Sequence, residues 1–222
     1  MRAKLIACEV LREELITLPD LARMAEVKYL EQGLHRTPEQ LRVELQAEIL
    51  ASQDFDVLLL GYGLCSNGTE GLCSPRARIV IPCLDDCIAL FMGSRRLFQE
   101  EFANEPGTYY FSRGWVDGAT DPWREYHVNA EKYGPETARW VMQEYMKNYR
   151  RVCFVHTLPN TPPRYMDHAQ AMAGFFALRY EEMTGSLRLL KMLLAGVEKG
   201  WNEEFLQLAP GQPVTAEMFR LA

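Results

Sequence analysis

The sequence predicts an α/β protein with a mainly parallel sheet covered by helices on both faces. Three observations carry this reading. Short hydrophobic runs alternate with helical patterns along the chain, as successive βαβ units require. The strongest run, Asp56-Val57-Leu58-Leu59-Leu60, is apolar at every position after Asp56 rather than alternating, the mark of a strand buried on both faces. With 222 residues, 48% hydrophobic and 24% charged, the chain can bury a substantial core without staples. It reads as a single α/β domain over residues 1–222, with a weak seam near residue 106 between two α/β halves.

Lys4–Ala7 reads as a short buried strand, followed by an amphipathic helix to about Leu21 that breaks at Pro19. Val27–Leu30 is a second strand, leaving through Glu31-Gln32-Gly33-Leu34-His35. Thr37-Pro38-Glu39-Gln40 opens a helix, with Thr37 as cap, Pro38 in the first turn and Gln40 completing a capping box. Leu41, Leu45 and Ile49 form its inner face at helical spacing. Asp56–Leu60 is the third strand and Gly61-Tyr62-Gly63-Leu64-Cys65-Ser66-Asn67-Gly68 its exit loop. Arg78–Ile81 is a fourth strand. Asp85–Met92 starts a helix, which Gly93-Ser94 breaks and restarts through Phe102. Thr108–Phe111, β-branched and aromatic, is a strand. Trp115–Tyr133, rich in Gly, Asp, Trp and Tyr, reads as a long ordered loop. Pro135–Tyr149 is a helix with Val141, Met142, Tyr145 and Met146 inward. Val152–Val155 is a strand leaving through His156-Thr157. Pro159–Pro163 links to a helix over Tyr165–Met183. A further helix spans Leu187–Val197 and stops at Gly200. Phe205–Leu208 is the last strand.

Bulk charge narrows the function classes. The net charge is −6, and no Lys/Arg-rich stripe is available to neutralise phosphates, which argues against nucleic acid. No stretch approaches the roughly 18 uncharged apolar residues of a membrane span. The basic start Met1-Arg2-Ala3-Lys4 lacks a signal core, because Glu9, Arg12, Glu13 and Glu14 interrupt it. The chain is therefore expected in the cytoplasm, where cysteines are reduced, metal-bound or catalytic rather than disulfide-bonded.

Four of the six cysteines fall at the ends of β-like runs or within one: Cys8, Cys65, Cys83 and Cys153. Cys87 follows Cys83 by four residues. In an open α/β sheet, residues leaving the C-terminal ends of strands converge on one rim, where ligands bind. Neighbouring strands lie about 4.8 Å apart, so Cys8, Cys65 and Cys83 could share one guest. Cys83 and Cys87 would face the same way across a helical turn. His35 leaves a further strand, as does His156. Thiolate and imidazole suit zinc, iron or an iron–sulfur cluster better than magnesium or calcium. No Cys-x2-Cys pair is present, although zinc ribbons and ferredoxin-type clusters usually have one. The bland alternative is a set of small buried hydrophobes, most apt for Cys153 inside its strand and least apt for Cys65 and Cys87 in polar turns. Cys73 reads as an ordinary loop residue.

A second chemistry uses the same residues. Asp85-Asp86-Cys87 stands at a predicted helix start, whose dipole would lower a thiol's pKa. A metal-free enzyme would then use Cys87 as nucleophile with a histidine base. The adjacent aspartates oppose that activation and better suit acceptors behind a metal ligand. The glycine-rich loop after the third strand is neither a dinucleotide fingerprint nor a P-loop. Its Gly63, Asn67 and Gly68 either admit a cofactor to the backbone or build a tight turn. Glu9 is a ligand candidate against the commoner reading of a solvated carboxylate. His127 and His168 read as structural. The aromatics Tyr109, Tyr110, Phe111, Trp115, Trp123 and Tyr126 either wall a pocket for a flat ligand or form a loop's own small core, the preferred reading.

Ile6-Ala7-Cys8-Glu9, Gln32-Gly33-Leu34-His35, Leu60–Gly68, Asp86-Cys87-Ile88 with Gly93-Ser94, Pro106-Gly107-Thr108-Tyr109-Tyr110 with Gly114-Trp115, and Trp201–Pro210 with Gly211 occur in that order. Together they resemble the domain-of-unknown-function family numbered 1638, over nearly the whole chain. The resemblance implies anaerobic bacteria or archaea and a gene neighbourhood of corrinoid-dependent methyltransferases. It thus implies a role in one-carbon, corrinoid methyl-transfer metabolism, with a corrinoid protein or methyltransferase as partner. Position by position it favours Cys8, His35, Cys65 and Cys87 as the shared site. Cys83 falls where the pattern varies, and Cys73 and Cys153 lie outside it. The leading expectation is a Cys/His metal- or iron–sulfur-binding protein with ligands Cys8, His35, Cys65, Cys83 and Cys87. The alternatives are the Cys87 nucleophile and a non-catalytic partner of a methyltransferase complex. The apolar set Leu187, Leu190, Leu194 and Val197 is open to internal packing or to a homo-oligomer.

Overall fold

A computed structural model describes residues 1–118 and 120–221. Its strands are β1 (Ala3–Cys8), β2 (Glu26–Leu30), β3 (Val57–Gly61), β4 (Arg78–Pro82), β5 (Thr108–Phe111), β6 (Arg151–His156), β7 (Arg179–Thr184) and β8 (Phe205–Leu208). They form two sheets rather than one. The first has the order β2-β1-β3-β4-β8, and the second β5-β6-β7. All pairings are parallel except β4 with β8. The chain leaves the first sheet after β4, builds the second from β5 to β7, and returns to the first at β8.

β3 lies at the centre of the first sheet and all five of its residues are buried, as its unbroken apolar run requires. In β6, side chains alternate between two cores. Cys153 and Val155 join the core of the first sheet, whereas Val152 and Phe154 pack with Phe111, Met146, Tyr165 and Met172 on the other face. That period of two lets one strand serve both layers.

The helices are α1 (Arg12–Leu15), α2 (Pro38–Ala51), α3 (Ile88–Met92), α4 (Arg95–Asn104), α5 (Arg113–Asp117), α6 (Pro122–Tyr133), α7 (Pro135–Met146), α8 (Pro163–Phe175), α9 (Arg188–Lys199) and α10 (Met218–Leu221). Pro38 takes the first turn of α2 as expected, but Thr37 makes no side-chain cap bond, so the capping box does not form. The segment after β1 is broken into short 3₁₀ and α turns rather than one helix.

Three other expectations are corrected. Residues 115–117 and 122–133 are helical rather than loop, and residue 119 lies outside the described residues. Ser112 caps α5 by accepting from the Trp115 N–H, and Asp121 caps α6 by accepting from the Trp123 and Arg124 N–H groups, with Pro122 in the first turn. These caps outweigh the loop-like composition. The helix after Pro163 ends at Phe175, and residues 179–184 form β7 beside β6. The inner face of α7 is Ala138, Met142 and Met146, whereas Val141 and Tyr145 are 41% and 52% exposed.

Arg151, 6% exposed at the start of β6, ties the second sheet to α4. Its guanidinium donates to Thr108 Oγ1 (2.9 Å), Glu181 Oε2 (2.7 Å) and Glu101 Oε2 (2.8 Å). Arg151→Met keeps the stem and strands these acceptors. It is expected to cost about 2–3 kcal/mol in urea unfolding, below the full cost of a broken buried pair because both glutamates are partly solvated. No helix among the described residues is long and apolar enough to cross a membrane.

Candidate functional site

The strand order β2-β1-β3-β4 places four C-terminal strand ends side by side. Each delivers one candidate. Cys8 is the last residue of β1 and pairs in register with Leu30 of β2. His35 lies in the 3₁₀ turn Gln32–Arg36 that follows β2. Cys65 follows β3, and Cys87 follows β4 immediately before α3. Cys8, His35, Cys65 and Cys87 line one small void together with Tyr62, Trp115, Leu41 and the exposed Glu31. Parallel pairing makes this possible, since it sends all four ends to the same edge.

The loop carrying Cys65 is strained. Cys65, Ser66 and Asn67 have φ of 49°, 55° and 66°, three successive left-handed residues, of which only Asn tolerates that region readily. Each non-glycine residue there costs about 1–2 kcal/mol. Clamps hold the conformation. Leu64 N–H donates to Leu84 C=O (2.8 Å), Cys65 N–H to Asp85 C=O (3.0 Å), and Thr69 Oγ1 to Gly63 C=O (3.1 Å). A Cβ at Gly63 would lie 2.7 Å from the Leu84 carbonyl oxygen, so glycine is what lets the two thiol-bearing loops touch. Strain held this firmly is concentrated at functional sites.

Burial dominates the electrostatics. It pushes the Cys8 thiol up to about 11 and the Cys65 thiol up to about 12, and drives Cys87 well above its ordinary value. Cys65, Asp86 and Cys8 then add to the effect on Cys87. Backbone N–H groups pull the other way, those of Gly63 and Cys87 on Cys65 and those of Val10 and Glu9 on Cys8. The Tyr62 hydroxyl feels all three thiols, is buried, and has no hydrogen-bond partner among the described residues. Burial lowers the pKa of His35, leaving the ring neutral. Its Nδ1–H donates to the Gln32 carbonyl, so Nε2 carries the free lone pair. The ring packs against Trp115, centroids 5.3 Å apart. Burial raises Asp86 to about 6, and its carboxylate accepts from the Ile88 N–H (2.8 Å).

Above the thiols lies a cavity of about 580 Å³, within the usual range of small-molecule pockets. Cys65, Ser66, Asp86 and Cys87 line it from the first sheet, and Tyr109, Trp115, Tyr145 and Tyr149 from the second half of the chain. Tyr109 meets Tyr149 edge-on at 5.6 Å and accepts from Trp115 Nε1 (3.4 Å).

Not every predicted site residue is here. Cys83 is absent from the lining of both spaces and packs instead against the Met218 and Phe219 carbonyls and Arg95, each 3.8 Å from Sγ. The helical-turn argument for Cys83 with Cys87 fails because helix begins only at Ile88. Gly63, Asn67 and Gly68 also line neither space. They shape the loop: a Cβ at Gly68 would meet Leu41 of α2, and the Asn67 carbonyl accepts from Arg42 (3.2 Å). Glu9 pairs with Arg12 at the surface. His156 bonds Glu182 (2.7 Å) on the second sheet, and His168 bonds Asp121 (2.9 Å). Cys153 is core, and Cys73 is bracketed by Gln46. Of the aromatics read as a loop's own core, Tyr109 and Trp115 instead wall the cavity. Tyr62 is not singled out by residue type, and its place in the loop between β3 and Cys65 is the sequence signal that marks it. Tyr145 stands in a helical pattern that reads as core, and Tyr149 closes that pattern with no signal of its own.

The donor set, sulfur and imidazole with an orphaned phenol and the Glu31 carboxylate at the void's edge, fits zinc, iron or an iron–sulfur cluster by type. Among the described residues no three His, Cys, Asp or Glu side chains are already drawn together as ligands to one ion. A family model described as a protein of unknown function, DUF1638, matches residues 29–194, a stretch that contains His35, Cys65 and Cys87 but not Cys8. No curated protein matches the chain. No solved structure matches it.

Proposed function

The chain belongs to the DUF1638 family, and we propose that it binds zinc, iron or an iron–sulfur cluster through Cys8, Cys65 and Cys87, with His35 beside them. The observation that supports this is the delivery of three thiols and an imidazole from four adjacent strand ends to one small void. Buried thiols without a neighbouring cation are held protonated, and a bound metal supplies the missing positive charge. When bound, such a group offers Lewis-acid or thiolate-binding chemistry at any position the protein leaves open. The chain's own groups then have defined tasks. Tyr62 donates its hydroxyl proton into the void. His35 presents Nε2. Asp86 holds or releases a proton near neutrality at the cavity floor.

Cys87 as a metal-free nucleophile is the weaker reading, because burial moves its thiol away from the thiolate form that attack requires. The one-carbon setting implied by the family resemblance, with a corrinoid protein or methyltransferase as partner, belongs to the same proposal. Metal analysis after anaerobic purification and reconstitution tests the site. Stoichiometric zinc or iron is expected in the wild type, lost in a Cys65→Ser/Cys87→Ser double variant and retained in Cys83→Ser. A wild type that takes up neither metal, with one thiol alkylating far faster than the rest, would replace this reading with the nucleophile.

A further inference from the structure

The 580 Å³ cavity has a composition that selects a ligand class. Its outer wall is aromatic: Tyr109, Trp115, Tyr145 and Tyr149. Tyr109 links two of the others, meeting the Tyr149 ring edge-on and accepting from Trp115 Nε1. Its charges are unbalanced. Arg36 is committed to Glu125. Asp121 is committed to His168 and Arg124. Asp86, on the floor beside Cys65 and Cys87, has no cationic partner among the described residues; the hydrogen bond it accepts comes from a backbone N–H. The cavity therefore pairs aromatic rings with one uncompensated carboxylate. An anion would meet Asp86 unfavourably, and a neutral flat ligand would leave it uncompensated. A cation with hydrocarbon substituents satisfies both features, since aromatic faces attract cations and the carboxylate supplies the counter-charge.

We propose that this cavity binds a small organic cation, an alkylated ammonium, with its charge beside Asp86 and its hydrocarbon against Trp115, Tyr109 and Tyr149. Such a ligand would sit directly over Cys65 and Cys87. The inference rests on the proposed function only for what lies beneath the ligand, because the wall and Asp86 are in place without a metal.

The test uses choline and its uncharged carbon isostere 3,3-dimethyl-1-butanol, titrated calorimetrically into the full chain, both metal-loaded and metal-stripped. Choline is expected to bind more tightly than the isostere by about tenfold or more. Asp86→Asn should abolish that preference while leaving the isostere's affinity unchanged. Tyr149→Leu should weaken choline by about tenfold, with circular dichroism and the melting temperature reporting that both variants are folded. Equal affinity for the two probes, no choline binding, or tighter binding of acetate than of choline would overturn the proposal. So would a choline preference that survives Asp86→Asn. Choline binding to a protein that takes up no metal would leave this inference standing and sink the proposed function. Metal-loaded protein that ignores choline would do the reverse.

Discussion

Replacing Gly114 by alanine is expected to destabilise the protein by about 3 kcal/mol and to distort the cavity, although alanine is the better helix former. A Cβ at Gly114 would lie 2.0 Å from the Val10 carbonyl oxygen and 2.7 Å from its carbonyl carbon. Both are backbone atoms, so no side-chain rotation relieves the clash. α5 must move away from the 3₁₀ turn Glu9–Leu11 that follows Cys8. α5 carries Trp115, which packs on His35, so the displacement reaches the site. The helix-propensity gain of about 1 kcal/mol does not offset this. The same substitution at Gly174, exposed near the end of α8 with nothing within 4 Å of the added carbon, is expected to stabilise by about 0.5–1 kcal/mol. Urea unfolding of the pair checks both signs. Equal effects at the two positions would mean that α5 is not seated on the Val10 carbonyl as described.

Glu14→Gln is expected to remove a pH dependence and to stabilise the chain at pH 8. Glu14 is fully buried in α1. Its Oε1 accepts from Thr157 Oγ1 (2.7 Å), in the loop that leaves β6, and its Oε2 has no partner among the described residues. Burial raises its pKa from 4.5 to about 7. The folded chain therefore keeps the proton up to about pH 7, whereas the unfolded chain releases it near 4.5. Across that window the folded state binds more protons, so stability is full below it and falls as pH rises through it. The loss is about 3 kcal/mol at most. Glutamine keeps an acceptor for Thr157 and cannot ionise. Chemical denaturation from pH 4 to 8 should show the wild-type curve falling relative to the variant, with the two close together at pH 4. Parallel curves would show that Glu14 does not hold its proton. The residue ties α1, which follows β1 of the first sheet, to the loop that leaves β6 of the second.

The parts of the fold legible in the chain were those governed by local pattern. The continuous run at β3 and the periodic Leu41, Leu45 and Ile49 of α2 declare their burial through residue type alone. Where composition misled, a cap or a partner strand decided. Asp121 and Pro122 start α6 in a stretch that looks like loop. β7 exists because β6 offers it a ladder across six residue pairs, and an exposed strand of this kind carries little sequence signal.

The site divides in the same way. Cysteines at the ends of apolar runs were visible as a rim, because strand ends in a parallel sheet must share an edge. Which of them meet was settled by backbone geometry between the runs. Cys87 turns inward and Cys83 turns toward the C-terminal helix because the chain between them is not helical. Tyr109, Trp115, Tyr145 and Tyr149 come together only through the packing of the second sheet and its helices beside the first sheet's rim. By itself the sequence determined the layered α/β class, the buried strands and the candidate thiols, since burial and periodicity are properties of neighbouring residues. The tertiary structure alone decided the two-sheet division, the membership of the thiol cluster and the aromatic cavity above it, because contacts between residues far apart in the chain depend on packing that no local pattern encodes.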